Sequence, residues 1–505
     1  MKAVPGRTDR IVVVGAGLSG LASALHLAGR GRSVTVLERD PGPGGLAGRA
    51  ERDGYLLDTG PTVLTMPSIL RDTFAAVGAD LDRELPLKRL DPAYSARFAD
   101  GSVLPVHTSG ERMAAAVRDF AGPADAAGYL RLRDWLTRLH HAEFGRFVDA
   151  NIDSPLGMLR PELARLAALG GFRRWDTKIG TFVRDERLRR VFTFQALYAG
   201  ESPMRALALY AVIAYMDTVA GVFFPAGGMA AVPRALARTA AAAGVDFRYD
   251  SEVTALERRG PRVTAVRTAA GERFPCDAVV LTTEPPESYR LLGRTPRRPV
   301  PLRAAPSALV LHTGGPGVPP EVGHHTISFG HGWKSTFHDL ITAGRPMSDP
   351  SLLITRPTAS DPTLAPPGRQ LFSILAPVPN LERGPVDWTA AAGSYAAEIL
   401  DVVRERHLPG FEPEFSHIVS PADWARRGLV AGTPFSYAHS FPQTGPFRPR
   451  NRPAGTVNAV LAGGGTVPGV GVPTVLISGR LAADRITGTT RPRARVFDLA
   501  AGGPR

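Results

Sequence analysis

One stretch near the start of the chain, Ile11 to Asp40, restricts what its 505 residues can fold into more than any other feature. It reads IVVVGAGLSGLASALHLAGRGRSVTVLERD, an apolar run, a glycine-rich turn, a helical pattern, a second apolar run and a closing acid. Gly15 permits a tight turn after Ile11 to Val14, Gly17 lets the backbone approach a pyrophosphate, and Gly20 lets the helix pack closely on the strand. The helix N-terminus then offers its N–H groups to phosphate. Leu21, Leu25 and Leu27 predict the apolar side of that helix, Gly29 and Gly31 its end, and Ser33 to Leu37 the second strand. Glu38 can accept hydrogen bonds from ribose hydroxyls, and its charge would repel the 2'-phosphate of NADP. The stretch therefore predicts a βαβ unit that binds a dinucleotide.

An NAD dehydrogenase would normally continue into another helix after Glu38, and this chain does not. The segment PGPGGLAGRAERDGYLLDTGPTVLTMP has a glycine pair, Gly44 and Gly45, and a second small-residue turn at Asp58 to Thr62. Near the other end, Val457 to Leu461 reads as a strand, Gly463 to Gly471 is almost all small residues, and a helix is expected from about Thr474. Such a turn can aim backbone N–H groups at an anion, or can simply allow close packing.

This order of parts resembles the FAD domain of the amine oxidase and phytoene desaturase superfamily. The run LAGGGTVPGVGVPTVLISGRLAADRI is similar to the C-terminal signature of bacterial-type phytoene desaturases. HHTISFGHGWKSTFHDL at 324–340, the run at 348–368, LAPVPNL at 375–381 and QTGPFRPRNRP at 443–453 resemble that family's patterns in its order. The resemblance implies FAD as cofactor, with Gly15, Ala16, Gly17, Ser19, Gly20, Glu38 and Arg39 contributed by the first unit. It adds Gly44, Gly45 and Arg49, then Gly60, Pro61 and Thr62 beside the flavin ring, Val253, and finally Gly464, Gly465, Val472, Pro473 and Thr474. The family places Arg directly after the glycine pair, whereas this chain has Leu46 there and its nearest arginine at Arg49.

The implied fold is α/β, a Rossmann-like FAD-binding domain of the glutathione-reductase and amine-oxidase type interleaved with an α+β substrate domain. Gly244 to Val280 reads as short strands with turns at Arg259 to Pro261 and Ala270 to Gly271, similar to the meander of such a domain. The expected FAD-binding parts are 1–99, 225–300 and 455–490; 100–224 and 301–454 form the substrate- and membrane-associated part, and 491–505 is a tail. A length of 505 residues with 44% hydrophobic content suits two cores. The single cysteine, Cys276, excludes a disulfide framework and reads as a packed thiol, in keeping with a reducing compartment.

A formal charge of +13 and an isoelectric point of about 10.4 draw the chain to polyanions. No zinc finger, RNA-binding aromatic motif or long basic tail accompanies the charge, so an anionic membrane surface is expected and nucleic acid is not. In Leu156 to Trp175, Leu159, Leu163 and Leu166 share a helical face, Pro161 suits the helix start, and Arg173, Arg174 and Trp175 resemble an interfacial anchor. A solvated basic face of a core helix explains the same pattern. Ala206 to Met216 is too short to span a bilayer and reads as a core helix or as the wall of an apolar channel. MKAVPGRTDR leads into the first strand with no apolar secretion core, so the expected location is cytoplasmic, at the inner face of the cell membrane.

The resemblance implies desaturation of phytoene or a related acyclic carotenoid precursor, an FAD-dependent oxidation of a CH–CH bond. A flavin takes a hydride from an allylic C–H, a proton leaves the neighbouring carbon, and the electrons pass on to a quinone or oxygen. Glu201 in YAGESP and Asp217 beside the apolar run are candidate proton acceptors, each open to a purely structural reading. His140, His141, His324, His325, His331 and His338 show no recognisable ligand spacing, so no metal is expected. Two other readings stay open. One is an isomerase, ketolase or amine oxidase of the same flavoprotein superfamily; the other is a non-catalytic prenyl-lipid carrier of the Rab GDP-dissociation inhibitor kind.

Overall fold

Unbroken aliphatic runs such as Ile11–Val14 and Ala278–Leu281 suit strands covered on both faces, the situation of a parallel sheet. The computed structural model describes residues 1–489 except 295, 297–299 and 318–321; the expected tail 491–505 lies outside the described residues. Its two principal sheets use β1 (Arg10–Val14), β2 (Ser33–Leu37), β3 (Tyr94–Phe98), β4 (Val103–Val106), β5 (Asp246–Arg248) and β6 (Ala278–Leu281). They continue with β7 (Ser307–Pro316), β8 (His325–Phe329), β9 (Leu352–Thr355), β10 (Arg369–Val378), β11 (Phe415–Val419) and β12 (Ala459–Leu461).

The first sheet is parallel with order β5-β2-β1-β6-β12, so strands from the start, middle and end of the chain lie side by side. Helix α1 (Leu18–Ala28) follows β1 and is buried along nearly its whole length. The three-stranded meander Val253–Arg259, Arg262–Thr268 and Arg273–Pro275 occupies the region read as short strands. Cys276 is buried beside it, and burial pushes its thiol up to about 12, which leaves it unreactive.

The second sheet has seven strands in the order β11-β7-β10-β9-β8-β3-β4, antiparallel except where β8 runs parallel to β3. Every residue of β8 is buried, and His325, Ile327 and Phe329 share one of its faces. The largest apolar core joins this sheet to helix α2 (Pro123–Glu143) and to the segment around Ala206–Ala214. Helix α3 (Val472–Thr487) packs against α1 and returns to the first sheet.

Two expectations differ from the structure. Ala206 to Met216 forms no continuous helix but a 3-10 turn at Ala208–Ala211, an α turn at Val212–Tyr215 and a π turn at Met216–Ala220. With core on one side and a cavity on the other, it has no solvent face to impose a regular period. Trp175 is no interfacial anchor: it is fully buried, and its indole N–H donates to the carbonyl of Phe192 at 3.0 Å. The helix of that region covers only Pro161–Ala168, with Pro161 in its first turn as expected.

Candidate active site

The dinucleotide cradle follows from backbone geometry. Gly15 turns the chain at φ +103°, and a Cβ there would lie 2.3 Å from Thr282 Oγ1. A Cβ on Gly20 would lie 2.0 Å from the carbonyl oxygen of Gly15, so only glycine lets α1 seat on β1. Gly17 is the extended N-cap of α1, and no side chain caps this end, which leaves first-turn N–H groups to a ligand. A Cβ on Gly17 would meet nothing closer than Gly45 Cα at 4.0 Å and would stand in the cavity that Gly17 lines. The chain thus keeps open the space a pyrophosphate needs. Gly44 closes the cradle by pairing with Gly17, its N–H donating to Ala16 O at 3.0 Å. Glu38 ends β2 with a buried carboxylate that accepts from Ala16 N at 2.6 Å and Asp40 N at 3.0 Å, and it lines the cavity together with Arg39 and Val253.

Opposite lies the C-terminal glycine turn. Gly464 and the α3 N-terminus, with Val472, Pro473 and Thr474, line the same cavity, so the positive end of the α3 dipole faces it. Arg448, fully buried, holds this turn: its Nε donates to Thr466 O at 3.0 Å and its Nη2 to Gly464 O at 2.7 Å. Gly465 is a packing position, where a Cβ would meet Pro285 Cδ at 2.3 Å. The turn Gly60, Pro61 and Thr62 lines the cavity between these two walls.

From there the cavity, about 970 Å³ in all, continues as an apolar channel. This lies at the upper end of the roughly 300–1,000 Å³ usual for ligand sites. Ile327, Phe329, Leu353 and Leu375 of the seven-stranded sheet form its floor. Ile213 and Met216 form part of its wall, so the segment read as either core or channel wall serves as both. Its mouth lies between Phe172, Phe441 and Phe447, whose rings stand 6.4–6.5 Å apart in succession and are 40–52% exposed.

Asp217, Glu143 and Glu284 are among the carboxyl groups that line this cavity. Asp217 sits in the π turn Met216–Ala220; its Oδ2 accepts from Gln195 Nε2 at 3.3 Å, its Oδ1 has no hydrogen-bond partner among the described residues, and burial pushes its pKa up to about 7. Glu143 ends α2 where a second π turn, Phe144–Val148, begins; burial alone pushes it up to about 8, and its Oε2 has no hydrogen-bond partner among the described residues. Glu284 is likewise raised by burial and accepts from Ser436 Oγ at 2.8 Å. Phe144 and Met216, the neighbours of Glu143 and Asp217, pack together against Ile477 of α3.

Glu201 and Arg49 lie elsewhere. Glu201 is held by Arg303 and Arg205 and does not line the cavity, and Arg49 donates to the carbonyl of Gly227 beside Asp58. Sequence reasoning passed over Glu143, Glu284, Arg448 and Arg427, the last of which ties Gly45 O at 2.9 Å. Only a carboxyl closing an otherwise helical stretch at Glu143 hinted at any of them. Among the described residues no group of three or more His, Cys, Asp or Glu side chains could hold a metal ion.

The raised Glu143 carries a stability consequence. A carboxyl shifted from 4.5 to about 8 on folding holds its proton more tightly folded than unfolded. Unfolding then releases a proton as pH rises across that window, and the fold weakens by an amount on the order of a few kcal/mol. Glu143→Gln is expected to raise thermal stability at pH 8.5 and to flatten its decline from pH 5, read by differential scanning calorimetry. An unchanged pH profile would place Glu143 in water.

The family model for flavin containing amine oxidoreductases matches residues 18–487. The chain is 62% identical over 498 residues, 98% of each protein, to a phytoene dehydrogenase of Streptomyces griseus. It is 35% identical over 488 residues, 94% of this chain and 93% of the other, to a zeta-carotene-forming phytoene desaturase of Myxococcus xanthus. An oxidoreductase from Methanosarcina mazei shares the fold, with a TM-score of 0.61 at 17% identity, covering 93% of this chain and 98% of that one.

Proposed function

The chain belongs to the flavin containing amine oxidoreductase family, and from that premise we propose that it is an FAD-dependent desaturase of phytoene or a related acyclic carotenoid precursor, acting in carotenoid biosynthesis. The observation that carries this reading is the likeness, over almost its whole length, to a phytoene dehydrogenase. An apolar channel opening directly from the dinucleotide cradle supplies the physical reason.

Bound there, FAD supplies an acceptor for hydride from an allylic C–H bond. Gly15, Ala16, Gly17, Ser19 and Gly20 with Glu38, Arg39 and Val253 would hold its adenosine and pyrophosphate side; Gly44, Gly45, Gly60, Pro61, Thr62 and the Gly464 and Val472–Thr474 turn would hold the remainder. Residues 1–99, 225–300 and 455–490 form the cofactor-binding body in this reading, and 100–224 with 301–454 the substrate body. The proton that must leave the adjacent carbon goes to a side chain. We assign it to Asp217, whose burial without a cation holds it near neutrality, poised to accept. The channel contributes position, holding a long hydrocarbon in one register. A quinone or oxygen takes the electrons.

A carotene leaves a bilayer, not water, so hydrophobic transfer adds little to its affinity and delivery depends on docking. No helix among the described residues is long and apolar enough to cross a membrane. We therefore assign the channel mouth to an anionic membrane surface at the cytoplasmic face. Leu159, 71% exposed, lines a surface pocket together with Phe172, Leu156 just before it in sequence is 75% exposed, and Arg160, Arg165, Arg173 and Arg174 of the same stretch are exposed.

Purified protein with FAD, phytoene in liposomes and a quinone should yield longer conjugated polyenes, identified by spectrum and chromatography. Bound flavin with no such product would refute the substrate. The triple variant Phe172→Ser, Phe441→Ser and Phe447→Ser should lose flotation with anionic liposomes, since each buried phenyl is worth about 1.5–3 kcal/mol. Flotation at wild-type levels would move the contact elsewhere.

A further inference from the structure

His324 and His325 take no part in the reaction as derived above, yet His325 stands on a functional face. On β8 it shares its face with Ile327 and Phe329, which line the channel floor. Directly across the ladder, on β9, stands Thr355, paired in register with His325. Its hydroxyl lies 3.0 Å from His325 Nδ1 and donates to Thr62 Oγ1 at 3.1 Å. Thr62 lines the cavity at the turn between the dinucleotide cradle and the apolar channel.

We propose that His325 is a positioning residue which, through Thr355, fixes the Thr62 hydroxyl as a hydrogen-bond donor into the cavity, toward the flavin ring.

The direction of the chain follows from counting protons. A threonine hydroxyl has one proton to give. Thr355 gives that proton to Thr62 and must therefore accept from His325, which makes His325 the Nδ1–H tautomer. Thr62 Oγ1, already accepting, keeps its own proton for a partner on the cavity side. His325 is buried, and its Nε2 has no partner among the described residues, so nothing competes for the tautomer. The site is dry and crowded: His324 lies edge-on to His325 at 4.5 Å, its own Nδ1 held 2.8 Å from Ser360 Oγ, and Phe224 closes the other side of His324 at 4.4 Å. Burial pushes His325 down to about 3, so it stays neutral with a single N–H across the working range.

A dinucleotide with its ribose at Glu38 and its phosphates at Gly15–Ser19 extends toward Thr62. A fixed donor there favours the electron-rich, reduced form of the ring it faces, which raises its potential. The inference rests on the flavin reading of the site and not on the identity of the substrate.

The test is the two-electron midpoint potential of the bound flavin, measured on the holoenzyme without substrate. Thr355→Val and His325→Phe should each lower it by about 30 mV, a tenfold change in the oxidised-to-reduced equilibrium. His325→Asn, which can place an amide N–H where Nδ1–H stood, should restore most of the difference. Thr355→Val, close in volume, keeps the test open if His325→Phe does not fold. Unchanged potentials in both variants would overturn the proposal, as would a shift in Thr62→Val unaccompanied by one in Thr355→Val. A wild-type protein that binds FAD but makes no polyene would overturn the desaturase reading alone.

Discussion

Asp217→Asn is expected to lower the turnover of phytoene by about 10²–10⁴-fold while leaving flavin content and KM close to wild type. Asparagine keeps the volume and the hydrogen bond with Gln195 but cannot take a proton. The pH dependence gives a second readout. With its carboxyl raised to about 7 by burial, the wild type should gain activity as pH climbs through neutrality and Asp217 loses its proton; the variant should show no such rise. The same substitution should not weaken the fold above pH 7, because it removes a buried charge whose desolvation outweighs its hydrogen bonds. Full turnover in Asp217→Asn would transfer the role to Glu143, the other cavity-lining carboxyl with an oxygen that has no hydrogen-bond partner among the described residues.

Glu38→Ala is expected to weaken FAD binding by at least about 100-fold, measured by fluorescence titration of the apoprotein. Hydrogen bonds to a charged group are worth about 1.5–3 kcal/mol, and two ribose hydroxyls stand to lose theirs. The loss reaches further, since the same carboxylate accepts from Ala16 N and Asp40 N and so holds the glycine turn after β1. Glu38→Gln, with one carbonyl oxygen left, should fall between the two. Affinity at the wild-type level in Glu38→Ala would mean that this end of the cavity holds no ribose.

Local chemistry was readable from the chain and distant pairing was not. Ile11–Val14, the glycines after them and Ser33–Leu37 form strand, turn and strand where their pattern puts them, because each step of that unit is decided within a few residues. Glu201 and Asp217 look alike in sequence. Of the two arginines that engage Glu201, Arg205 lies four residues on, but Arg303 comes from a different part of the chain, and only the fold brings it near. Trp175 carried a plausible surface pattern, but its acceptor at Phe192 lies beyond any helical period. Glu143 faces the channel because α2 gives way to a π turn beside Val212 and Met216, an adjustment that tertiary packing imposes. The order of the seven-stranded sheet is set by pairings such as β8 with β3, hundreds of residues apart, for which no local signal exists.

The first sheet places β12, from the last tenth of the chain, against β6, and α3 behind it against α1. A ribosome therefore releases the first glycine turn long before the opposite wall of its cradle exists. Cofactor cannot be enclosed by a growing polypeptide; it enters a nearly finished one. Contacts spanning so much sequence form slowly and leave apolar surface uncovered meanwhile. Vitamin supply during expression should thus govern how much protein survives, since FAD arriving late locks together ends that were made far apart in time.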